Sequence, residues 1–208
     1  MKNTFNKGFT LVELLIVIAI LAALAAAVVV VINPGELLAQ ARDSQRMRDM
    51  ATVRDAINLF MVQAPTASLC DTATGGGDGC AAGGICTFNT AIAAGPFSTV
   101  TPATPCSALP TFTNLRLTNG TGWVDINFDA NPAARTITTL PIDPINDATH
   151  FYAYRAETVT RTFRLATRLE SVRHRVAMLN DGGPRSTCST WIENTCFYEV
   201  GTNMLVGF

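Results

Sequence analysis

A stretch of about 24 residues, Phe9 to Ile32, carries one charged side chain, Glu13, and neither proline nor glycine. At ~1.5 Å per helical residue it would be about 36 Å long, enough to cross a hydrocarbon layer of ~30 Å. A carboxylate inside such a run costs on the order of 2.5–3.5 kcal/mol at mid-membrane and less near the edge. The run therefore predicts a membrane helix and calls for something to compensate Glu13. Lys2 and Lys7 precede it as a short basic leader, which the positive-inside rule keeps cytoplasmic.

An ordinary secretory signal has the same basic start and apolar core. Ala25, Ala26 and Ala27 would suit a signal peptidase, releasing a secreted binding protein that begins at Val28. A simple signal anchor would leave Glu13 near the headgroups without a role. Neither accounts for the sequence Gly8-Phe9-Thr10-Leu11-Val12-Glu13.

That segment, with Lys7 before it, resembles the processing site of type IV pilins and pseudopilins. The resemblance implies that a prepilin peptidase cuts between Gly8 and Phe9 and that the new N-terminus, Phe9, is methylated. It also implies that Glu13 pairs with the N-terminal amine of a neighbouring subunit during assembly. Such a partner would answer the energetic problem, because a buried carboxylate is tolerated when an opposite charge meets it. The function implied is structural, not enzymatic, with no catalytic residues. Subunits would wait as single-pass proteins in the cytoplasmic membrane, head outside, and then enter an extracellular pilus-like helical filament. Partners would be other copies of the chain, an inner-membrane assembly platform and its ATPase. A pseudopilin of a type II secretion or DNA-uptake machine would share the leader but form a short piston.

The implied fold is α+β: a long N-terminal helix, transmembrane in its first half, packed on an antiparallel sheet head with disulfide-bonded loops. The expected divisions are a leader at 1–8, a membrane and filament-core helix at 9–33, an amphipathic second half at 34–64 and a head at 65–208. Within the head, 65–115 forms a variable helix-to-sheet connection and 116–208 the sheet and a C-terminal disulfide loop.

Composition removes several chemistries. The only lysines are Lys2 and Lys7, so a processed chain has none. It would lack a P-loop lysine, a Schiff-base lysine and a lysine general base. Thirteen arginines then face 16 acidic residues, a side-chain balance of −3. Six cysteines, Cys70, Cys80, Cys86, Cys106, Cys188 and Cys196, follow the apolar run. Outside the membrane they would persist as disulfides. Without a C-x-x-C, and with only two histidines, a structural zinc site is not expected. Cys188 with Cys196 is the preferred pair; the pairing of the other four stays open.

After Ile32 comes Asn33-Pro34-Gly35-Glu36. Pro34 and Gly35 disfavour a continuous helix, while Asn33 as N-cap, Pro34 at N1 and Glu36 at N3 suit a restarted one. A break is expected there, either a compliant joint or a capped stop. From Leu37 to Val62, Met47, Met50, Val53, Ile57, Phe60 and Met61 recur at helical steps and mark a buried stripe. Arg42, Arg46, Arg48 and Arg54 alternate with Asp43, Asp49 and Asp55, which reads as a solvated face or, in a filament, equally as charges that set the stagger between neighbouring helices. Ala64-Pro65 ends the helix. Gly75 to Gly79 lacks the Gly-Lys-Ser/Thr of a phosphate loop.

Strands are predicted at Trp123–Phe128, Phe151–Arg155 and Arg161–Glu170. Between the first two, Leu140-Pro141-Ile142-Asp143-Pro144-Ile145-Asn146 resembles a segment preceding the sheet of major pseudopilins. Asp143, Asn146 and Asp147 are candidate calcium ligands, as the resemblance implies, but they are equally ordinary turn formers, and the turn is preferred. Arg161, Arg164, Arg168, Arg173, His174 and Arg175 would suit nucleic-acid phosphates. Pairing with acids is preferred to that reading, and few aromatics interleave to stack bases. Trp191 and Tyr198 are expected as a small core under the C-terminal loop.

Overall fold

In the computed structural model the described residues are 8–70, 84–88, 113–133, 135–157, 159–182 and 196–202. The chain divides into two compact units, Met1–Ala39 and Gln40–Phe208.

The first unit is dominated by helix α1, Leu11–Ile32. Thr10 opens it from an extended conformation, as an N-cap must. Every described side chain from Gly8 to Val29 is exposed. A helix that is apolar all round belongs in lipid or in the middle of a larger assembly. Its end is set at Asn33, which takes the left-handed conformation at φ 46°. Asparagine tolerates that region better than most residues. Helix α2, Pro34–Gln63, starts at once. The Asn33 carbonyl accepts from Glu36 N at 3.0 Å and Leu37 N at 3.3 Å, and its Oδ1 accepts from Glu36 N at 3.4 Å. Asn33 thus closes one helix and caps the next, and Pro34 takes the first helical position, where its missing N–H is no loss.

In the second unit, the remainder of α2 packs on a four-stranded antiparallel sheet of order β1-β2-β3-β4. The strands are β1 Ile85–Cys86, β2 Tyr152–Glu157, β3 Thr162–Thr167 and β4 Tyr198–Gly201. The expected stripe is the packing face: Met50, Val53, Ile57 and Phe60 are buried against Tyr152, Tyr154, Phe163 and Leu165. Burying such a side chain contributes roughly 1.5–3 kcal/mol. Polar pins fix the helix and the segment that follows it against the sheet. The Tyr152 hydroxyl donates to Asp49 Oδ2 at 2.7 Å, and the Tyr154 hydroxyl to the Leu69 carbonyl at 2.6 Å. Past the end of α2, Arg161 donates to the carbonyls of Ala64 and Ala67. It does so from φ 51°, in the turn between β2 and β3. A cation near the C-terminus of a helix also meets its dipole favourably.

One sequence expectation is corrected, and two features appear that no expectation covered. Trp123–Phe128 is not a strand. Trp123, Val124, Asp125, Ile126 and Phe128 are all buried, so alternation there did not divide a wet face from a dry one. The segment instead folds back on its own predecessor: Trp123 N donates to Leu115 O and Phe128 N to Thr118 O. The backbone approaches so closely that a Cβ on Gly122 would lie 2.1 Å from Leu117 O. Second, the sheet is covered on both faces. Cys86, Phe151, Ala153, Ala166 and Phe197 form a second cluster, and Arg164 is buried 3.2 Å from Glu199. Third, β4 and the two-residue β1 were not anticipated. Gly201 lets β4 meet β3, since a Cβ there would lie 2.1 Å from Phe163 O.

Candidate functional site

Two arrangements of charge stand out, one in each unit. At the start of α1, Glu13 Oε2 accepts from Thr10 N at 2.8 Å and from Thr10 Oγ1 at 2.9 Å. In return, Glu13 N donates to Thr10 Oγ1 at 3.2 Å. This reciprocal capping box follows from the Thr-x-x-Glu spacing. It satisfies orphan donors of the first turn and turns the carboxylate back toward Phe9, which is 87% exposed. The same helix terminus favours a negative charge through its dipole. The site therefore presents an oriented anion beside an apolar, uncovered helix.

Sequence reasoning missed the second arrangement. Arg46 and Asp43, expected on a solvated face, are both fully buried. The Arg46 fork donates Nε to Asp143 Oδ2 at 2.7 Å and Nη2 to Asp143 Oδ1 at 3.0 Å. Its Nη1 reaches Asp43 Oδ1 at 2.9 Å and also Glu170. Arg42 adds a second fork onto Glu170, 2.7 Å to each oxygen. Asp43 also accepts from Glu170 N and Ser171 N. Burial weighs against the Arg46 charge, but Asp143 and Glu170 more than offset it, and its pKa stands above the ordinary arginine value. Burial would likewise raise Glu170, yet Arg42 and Arg46 hold its carboxyl down at about 2. The one available signal was spacing: Asp43 and Arg46 stand at i and i+3, as an ion pair on either a wet or a dry face would.

The calcium candidates fall in and beside this network. Asp143 is bound by Arg46 and also accepts from Ile145 N at 2.9 Å and Asn146 N at 3.2 Å. Asp147 Oδ1 accepts from Thr149 N and His150 N. Asn146 exchanges hydrogen bonds with Thr87. The amide contacts of Asp143 and Asp147 are turn contacts, Asn146 instead bridges to Thr87, 59 positions away, and the Arg46 guanidinium binds both Asp143 oxygens. Among the described residues no three His, Cys, Asp or Glu side chains are grouped to hold a metal ion.

The arginines of the expected basic stripe are dispersed. Arg161 grips the end of α2, Arg164 pairs with Glu199, and Arg168 and Arg175 line one cavity. Tyr198 packs half-buried on β4. Cys70, Cys86 and Cys196 are buried, and no described cysteine is free. Cys80, Cys106, Cys188, Trp191 and the expected Cys188–Cys196 pair lie outside the described residues, as does the Gly75–Gly79 run.

Residues 4–29 match the prokaryotic N-terminal methylation motif. No curated protein and no solved structure matches the chain. The motif is that of structural subunits rather than catalysts, and it implies pilin-type processing and assembly with other subunits. With the apolar α1, it fits a membrane-anchored protein that passes into a surface filament. The chain thus carries the prepilin leader signature of type IV pilins and pseudopilins on an α+β, pilin-like fold.

Proposed function

We propose that this chain is the structural subunit of a type IV pilus-like surface filament, with no enzymatic role. The observation that carries the reading is the exposed apolar α1 headed by an oriented carboxylate, within the matched motif. Prepilin peptidase cuts after Gly8, Phe9 is methylated, and apolar α1 helices bundle as the filament core. Glu13 then exchanges its Thr10 contacts for the amine of a neighbouring copy, which sets the register. Until assembly the same apolar surface is met by lipid, and the platform and its ATPase extract the subunit.

Glu13→Ala is expected to leave stable membrane-bound protein but few or no filaments; normal filament yield would remove the register role. Substitution of Gly8 is expected to retain the leader, read by mass spectrometry. Because Lys2 and Lys7 are the only lysines, the processed chain has one primary or N-methylated amine, at Phe9. Acylation at that amine should be slower in intact filaments than in dissociated subunits. An isolated N-terminus at Val28 would overturn the reading in favour of a secreted protein. Correct processing without extracellular fibres on electron microscopy would favour a pseudopilin.

A further inference from the structure

The charges of α2 divide into two sets. Arg42, Asp43, Arg46 and Asp49 are engaged by the head, through Glu170, the amides of Glu170 and Ser171, Asp143 and the Tyr152 hydroxyl. From Gln40 to Gln63, the only charged residues among the exposed ones are Arg48 and Asp55. Seven residues are nearly two helical turns, so the two share one face and stand ~10.5 Å apart along the axis.

Both retain bonding capacity. Arg48 donates through Nε to the Ser44 carbonyl at 3.1 Å, which leaves the two terminal nitrogens of its fork. It also draws at longer range on Asp49, whose carboxylate the Tyr152 hydroxyl engages. Asp55 receives Arg54 on Oδ1 alone, from Nε at 3.0 Å and Nη2 at 2.8 Å, which leaves Oδ2 for a second cation. The Asp55 side chain is 66% exposed.

A donor and an acceptor offset along one straight helix meet between two parallel copies shifted by that offset. Such a contact is heterologous: each copy offers Arg48 to one neighbour and Asp55 to another, so it propagates instead of closing. An antiparallel pair would match both charges at once and stop at a dimer. Parallel copies come from the filament reading, on which this inference rests.

We propose that Arg48 of each subunit pairs with Asp55 of a neighbour displaced by about two helical turns, ~10.5 Å, along the helix axis. One exposed ion pair contributes little by itself. Matched charges of this kind select an alignment, and here the match recurs at every subunit.

The processed chain has no lysine, so Arg48→Lys introduces its one side-chain amine and keeps the charge. Intact filaments of that variant, treated with a water-soluble carbodiimide, are expected to yield covalent oligomers longer than dimers. Peptide mapping should find the introduced amine joined to Asp55 of another chain. No link between positions 48 and 55, or links that stop at dimers, would overturn the proposal. Charge reversal is an independent readout. Arg48→Glu and Asp55→Arg should each lower the yield of sheared filaments at least ~5-fold, and the two together should restore roughly half of it or more. Undiminished yield in both single variants, or no recovery in the double variant with an unchanged head melt, would also overturn it. Absence of filaments from the unaltered, correctly processed chain would instead count against the filament reading, so the two failures are told apart.

Discussion

Glu13 and Glu170 are glutamates with opposite supports. Glu13 is held by the backbone amide and hydroxyl of a residue three positions away. Glu170 is held by guanidinium groups 124 and 128 positions away. A local partner forms with the first helical turn and needs no tertiary structure. A distant one exists only once the head has closed. The capped start of α1 can therefore form whatever the state of the head, whereas the ionic cluster of the head depends on its folding.

The largest expected break in this comparison is Arg46→Ala. It would leave Asp43, Asp143 and Glu170 around a buried space with no central cation. Removing one partner of a buried ion pair typically costs 3–5 kcal/mol, a large share of a domain's stability. Denaturant melts of the detergent-solubilised chain should show that loss, and an unchanged midpoint would mean the cluster is not a keystone.

Acid should act in the same place but more gradually. The folded-state carboxyl of Glu170 is depressed to about 2 from 4.5, so the unfolded chain takes up that proton first. Its stabilising share is present above pH ~4.5 and is lost as pH falls toward about 2. His150, its pKa lowered from 6.5 chiefly by burial and then by Arg46, has the same sign and begins to cost stability below about that pH. Asp49, raised by burial, returns a part of the loss near pH 4. Thermal melts should fall below pH ~6.5 and more steeply below ~4.5. Arg42→Ala should make the acid-dependent loss below ~4.5 smaller and end it at a higher pH, because one of the two groups holding Glu170 down is gone.

The smallest effect is expected at the other end. Thr10→Val removes the hydroxyl half of the capping box, worth ~0.5–1 kcal/mol to the first turn of α1. Hydrogen exchange at Leu11 to Leu14 should quicken, while the head melt shifts by less than ~0.5 kcal/mol. A head melt that moved with Thr10 would erase the distinction between the two units.

What the sequence made legible was local. Composition alone marked α1, the Asn33-Pro34 interruption lay in adjacent residues, and a helical repeat exposed the buried stripe of α2. The motif around Glu13 is likewise a matter of neighbours. Arg46 misled because its i, i+3 acid looks the same on a wet or a dry face, and its decisive partner, Asp143, lies 97 residues on. Trp123–Phe128 misled because alternation implies one dry face only when a flat sheet provides it. Here Gly122 lets the chain turn back on itself and bury both sides. Ile85 and Cys86, a strand of two residues, are too short to carry a period.

Two arginines grip the helix of the head near opposite ends. Arg46 ties it to Asp143 and Glu170, and Arg161 holds the carbonyls just beyond its last turn. A pull directed along the helix would load both grips at once, in shear, instead of peeling them open one by one. Rupture would then be a single event at high force, and acid, by loosening one grip, would lower the load the head can carry.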